Sequence, residues 1–133
     1  MWHSLEHIHN IDKLFLEIKR ILKRHKYLFL CVPNSDSVEQ KYFKEHWVAW
    51  DAPRHLYHFT PNLIKQYVEK YNFEVVYYET LIQDTAYNIV LSMHRKNIFK
   101  YIRVFFILFV SYLKILLYGY KKSSSFLMIC RKK

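Results

Sequence analysis

Two short stretches concentrate the side chains that can do proton, metal or anion chemistry. His3-Ser4-Leu5-Glu6-His7 has the H-x-x-E-H spacing, which on a helix puts two imidazoles on a zinc ion with a glutamate beside them. Asp51-Ala52-Pro53-Arg54-His55-Leu56-Tyr57-His58-Phe59 gathers a carboxylate, a guanidinium and two histidines in a proline-containing loop. Imidazoles titrate near neutral pH and can take a proton, and an arginine presents a rigid fork to an anion. The first spacing stands before the first convincing helix cap, and a zinc peptidase needs a further ligand and a cleft. The second stretch also has a purely structural reading, in which Trp47, Trp50 and Phe59 bury and the polar groups bond to backbone.

Composition narrows the chemistry. The chain has 133 residues, enough for one core, and 52% of them are apolar, which argues against disorder. Its balance of 21 Lys and Arg against 11 Asp and Glu gives a net charge of +10. The basic residues are dispersed along helices with no interleaved aromatic stripe, so they read as a solvated surface and nucleic acid is not an expected partner. A single glycine, Gly119, excludes the glycine-rich loops that bring backbone close to a phosphate or nucleotide. Cys31 and Cys130 each sit in an apolar run without CxxC spacing, which predicts buried free thiols and a cytoplasmic location. No charged segment followed by an apolar one opens the chain as a signal peptide would.

The elements that must position these groups follow from periodicity. Asn10-Ile11-Asp12 opens a helix whose stripe is Ile11, Leu14, Phe15, Ile18, Ile21 and Leu22. Tyr27 to Val32 carries no charge and predicts a strand buried on both faces, ended by Pro33. Asn34-Ser35-Asp36-Ser37 follows as a polar loop at the strand's carboxyl end, where open α/β sheets place ligands. Ser37 and Gln40 fit a capping box for a short helix to about His46, and Thr60-Pro61 opens another. Phe73 to Tyr78 and Phe126 to Cys130 read as further strands. The result is an α/β arrangement with strands near 26–33, 73–80 and 125–131 and flanking helices.

Between about Thr85 and Tyr118 the pattern is helical, with two helices meeting near His94-Arg95-Lys96-Asn97. Val104 to Leu113 is free of charge but shorter than the roughly 20 apolar residues of a membrane span. A buried or membrane-surface helix is expected, with Lys100, Arg103 and Lys114 able to snorkel at an interface.

In order and spacing, Trp2-His3-Ser4-Leu5-Glu6-His7, Leu22-Lys23, Val32-Pro33-Asn34, Trp47 and Pro53-Arg54-His55-Leu56-Tyr57-His58-Phe59 resemble class I S-adenosylmethionine-dependent methyltransferases. The nearest branch is that of the ubiquinone-type O-methyltransferases. The resemblance covers Met1 to Val76 and the closing strand. It implies the last three strands of a Rossmann-like methyltransferase sheet, the final one antiparallel and inserted between the other two. A helical insertion at about 85–119 would interrupt this C-terminal part of a methyltransferase domain, which fills 1–133. The family's glycine-rich loop and its ribose-binding carboxylate have no counterpart in the chain. The resemblance therefore implies the C-terminal half, from a truncated, split or partial gene, inactive alone and able to pair with the other half in trans.

The implied activity is methyl transfer from S-adenosylmethionine to a small-molecule acceptor. Glu6, His7, His55 and His58 are the catalytic candidates, with Glu6 orienting a histidine base. Arg54 and Trp47 would contact the acceptor, and Trp2 and His3 the cofactor. The branch's E-x-x-E-H metal pattern has His3 in place of its first carboxylate, so no metal is expected. The alternative is a non-enzymatic α/β domain that binds a partner or a membrane surface through about 98–118.

Overall fold

A computed structural model describes residues 1–93 and 99–133. Three strands, β1 (Tyr27–Pro33), β2 (Phe73–Thr80) and β3 (Ser125–Lys132), form one sheet in the order β1-β3-β2. The last strand in sequence is the central one and runs antiparallel to both neighbours. This is the α/β fold expected, with the closing strand inserted between the other two.

Helix α1 (Ile11–Ile21) and helix α3 (Pro61–Lys70) cover one face. Phe15, Ile18, Ile64 and Val68 meet Leu28, Leu30, Val32, Phe126, Met128 and Cys130 there in a continuous core. The helix starts are set by side-chain caps: Asn10, rather than Asp12, accepts from Lys13 N at 2.8 Å, and Thr60 accepts from Leu63 N at 3.2 Å. Each removes one of the unpaired donors of a first helical turn. Asp12 instead takes bonds from Lys70 and Tyr71, tying the two helices together.

The expectation that β1 is buried on both faces is corrected. Leu28, Leu30 and Val32 are buried, but Tyr27 and Phe29 are about half exposed. Phe29 aligns with Ile129 of β3 and, through it, with Tyr77 of β2 on the face opposite α1 and α3. No helix covers that row among the described residues. Toward the carboxyl end Cys31 is buried, and there Met1–His3 pairs in parallel with the outer edge of β1.

Helix α2 (Val38–Phe43) is capped by Ser37, whose Oγ accepts from Gln40 N at 3.1 Å. Helix α4 (Ile82–Ser92) follows β2 directly. Helix α5 runs from Phe99 to Tyr118, well beyond the charge-free run, because Arg103 and Lys114 lie within it without breaking it. The segment Tyr101–Lys121 is long and apolar enough to cross a membrane by length and composition, which corrects the length estimate made from charge alone. Gly119, at φ +59°, ends the helix in the left-handed conformation that glycine adopts without strain. The expected meeting point at 94–97 lies outside the described residues. A second core, of Phe43, Trp47, Ala49, Ile89, Met93 and Ile107, joins α2, α4 and α5.

Candidate active site

At the carboxyl end of β1 lies a pocket of about 420 Å³, its wall drawn mainly from three segments distant in sequence, with Pro33 and Ser125 at the strand ends. His3 and Glu6 come from the first, Asp51, Arg54 and His55 from the loop after Trp50, and Asp84, Tyr87 and Asn88 from α4. The first two segments are stitched together by backbone: Leu56 N donates to Glu6 O at 2.8 Å, and Tyr57 Oη donates to His9 O at 3.0 Å. His7 Nδ1 adds a bond to Arg54 O at 2.9 Å.

His3 is the electrostatic centre. Its Nε2 lies 3.1 Å from Asp84 Oδ2 and 3.4 Å from Cys31 Sγ, and its Nδ1 lies 3.5 Å from Glu6 Oε1. The Asp84 hydrogen bond, then Cys31 and Glu6, push its pKa up to about 11, so it is an imidazolium at neutral pH. Burial works to raise the Asp84 carboxyl, but His3 holds it below its ordinary value. The H-x-x-E-H spacing thus does not act as a helical zinc motif. Leu5–His7 is one 3-10 turn, and His3 turns away from His7 toward α4.

Glu6 is fully buried, and neither of its carboxylate oxygens has a hydrogen bond. Its Oε1 stands 3.5 Å from His3 Nδ1 and 3.9 Å from His55 Nε2, so the charge nearest it is the His3 imidazolium. A buried carboxylate without hydrogen bonds is costly unless charge compensates it. His55 is held by Nδ1, which donates to Ala49 O at 2.9 Å and leaves Nε2 facing Glu6 and Asp51. Glu6, His7 and His55 can also bring one ligand atom each within 4.8 Å of one another, a cluster with the donor types for a divalent ion.

The remaining predicted groups lie nearby or beneath. The Arg54 guanidinium is paired with Asp51, at 2.6 Å. His58 sits outside the pocket wall, its ring 4.5 Å from that of Trp50, and burial with the neighbouring His55 lowers its pKa. Trp47 is only 2% exposed and belongs to the second core rather than to the pocket wall. Trp2 is exposed beside His3. The polar loop after β1 does structural work. Buried Asn34 donates to the carbonyls of Lys121 and Ser123, and Asp36 pairs with Lys41 and Lys122.

Asp84, Tyr87 and Asn88 are the wall residues that sequence reasoning missed. The one local signal was a carboxylate in the first turn of an otherwise uncharged helix.

A search among curated proteins finds no significant match. A family model described as a methyltransferase domain matches residues 1–78, a span that holds α1, β1, the 51–59 loop, α3 and every pocket-wall residue outside α4 and β3. With the carboxyl-end pocket and the inserted antiparallel strand beside it, the match shows that this chain belongs to the methyltransferase-domain family.

Proposed function

We propose that the chain is the acceptor-binding part of an S-adenosylmethionine-dependent methyltransferase of the ubiquinone-type O-methyltransferase branch, acting on a small-molecule acceptor. The observation that carries this reading is the convergence of His3, Glu6, Arg54 and His55 on one pocket at the carboxyl end of β1. His55 takes the acceptor's proton on Nε2, since its Nδ1 hydrogen is held by the Ala49 carbonyl. Glu6 stabilises the imidazolium that results and keeps the ring oriented. Arg54 binds an anionic part of the acceptor, and the His7 bond to its carbonyl fixes the loop that carries it. His58 is a second candidate base, and Trp47 supports the acceptor side from below.

The residues present fit the methyl-donor end of the cofactor. Glu6, a buried carboxylate without a hydrogen bond, suits a positive sulfonium, with His3 in the same wall and exposed Trp2 next to it. S-adenosylmethionine, when bound, supplies the methyl group. Its adenosine requires close backbone approach at glycines, and Gly119 lies at the end of α5 instead. A second segment with a glycine-rich loop, in the same polypeptide or another, completes the site.

Labelled S-adenosylmethionine, the chain and such a segment should together label small molecules from a cell extract. His55→Gln should lower the rate about 10²- to 10⁴-fold without changing the melting curve. An unchanged rate, or no labelled product with the wild-type pocket, would overturn the assignment. Calorimetry on the 133-residue chain alone should give only millimolar affinity for the cofactor, because a one-sided site cannot offset the ordering cost.

A further inference from the structure

Helix α5 is apolar over most of its circumference, yet the protein covers only one stripe of it. Ile107, Ser111 and Ile115 are buried, with Val104 and Leu108 partly so. These fall three or four residues apart and face α2 and α4. On the opposite side Phe105, Phe106, Phe109, Leu113, Leu116 and Leu117 recur at helical spacing, and all are exposed, Leu116 by 82%. Phe105, Phe109, Tyr112, Leu113 and Leu116 also border an apolar groove of about 490 Å³. A contiguous face of this kind exceeds what a soluble surface normally leaves in water.

Charge identifies what covers it. Arg103 and Lys114, about three turns apart, lie along one border of the apolar face, and Tyr101 and Tyr112 along the other. All four are exposed. Basic side chains can reach headgroups from that border while tyrosines sit at the level of the interface. The whole chain carries +10. A second copy would bring like charge to the same face, whereas an anionic lipid surface attracts it.

Topology excludes a span. Met93, just before α5, is buried in the second core, and the turn after α5 leads at once into β3 between β1 and β2. Asn88 of α4 bonds Ser124 at 2.7 Å, so both approaches to α5 are locked to one sheet. A helix of this length covers about 30 Å, whereas the link from Met93 to Phe99 reaches only about 20 Å. The chain cannot cross a bilayer and return. We propose that α5 lies flat in the headgroup region of an anionic bilayer, its Phe105–Leu117 face toward the acyl chains and Arg103 and Lys114 on the headgroups.

This inference stands apart from the methyltransferase reading. Co-sedimentation of the full chain with phosphatidylcholine vesicles, with and without phosphatidylserine, tests it. Binding should require phosphatidylserine, fall with added salt, and be lost on alkaline carbonate extraction. Phe109→Glu and Leu116→Glu should each weaken binding about tenfold or more and leave the melting temperature unchanged, since both side chains already lie in water. Absence of vesicle binding by the wild type, or variants that bind as well, would overturn the proposal. So would carbonate-resistant insertion, or a concentration-dependent dimer that the same variants dissolve.

Discussion

The sheet with the amphipathic α1 and α3, and the pair of the more apolar α4 and α5, end in different states. In the first region the inner faces of α1 and α3 meet the sheet: Phe15 packs in the core with β1 and Tyr71, its ring 5.4 Å from the tyrosine's. In the second, α5 meets its own chain along one stripe and water along the rest. Burial depends on whether topology supplies a facing element, and hydrophobicity alone does not decide it. The first region is specified from within, while the second leaves most of the α5 surface exposed.

The sharpest way to break this contrast is a matched pair of truncations. Phe15→Ala should cost about 3–5 kcal/mol in urea unfolding, because it empties a fully buried site. Phe105→Ala, at 73% exposure, should change stability by less than about 0.5 kcal/mol. Equal effects would mean that α5 is buried after all.

The seam between the regions gives the next largest effect. Glu39 of α2 is fully buried with both oxygens unpaired, and the Ser111 hydroxyl of α5 is unpaired beside the same core. Burial pushes the Glu39 carboxyl up to about 7. A raised folded-state pKa stabilises below the ordinary carboxylate value and loses that stabilisation as pH rises through 7. The protein should therefore weaken between pH 4.5 and 7, with Glu39 contributing up to about 3 kcal/mol to the fall. Glu39→Gln should flatten that profile and raise stability at pH 8; an unchanged slope would place the carboxylate in water.

A smaller effect tests the link across the pocket. His3 belongs to the first region and Asp84 to the second. With its pKa raised to about 11, His3 stabilises fully below its ordinary value near 6.5 and loses this as pH rises through 11. Asp84→Asn should drop the His3 titration midpoint, read by NMR, and cost about 1 kcal/mol at pH 6, discounted for partial exposure. A midpoint that stays put would show that Glu6 and Cys31 hold the charge without α4.

Local signals were legible where local chemistry decides. The caps at Asn10, Ser37 and Thr60 and all three strands follow from short patterns. His3, Glu6, Arg54 and His55 could be singled out as reactive types, but their meeting depends on the Glu6–Leu56 backbone bond, which no spacing encodes. Asp84 was missed because its role is set by the return of α4 against β3. Asn34 was read as a ligand loop because its carbonyl partners lie far along the chain. The exposure of Phe29 likewise reflects an uncovered face, and an uncharged run reports apolarity without reporting cover.

The position of β3 bears on when the fold can form. β1 and β2 are not paired with each other, and the one strand that joins them is made after both. During synthesis the apolar α5 therefore emerges while two open strand edges wait for Ser125–Lys132. A sheet closed by its last strand has high contact order, and such chains fold slowly and expose edges in the interval. Aggregation on the ribosome, more than instability of the finished protein, is the hazard this topology carries, and a surface that received α5 early would shorten it.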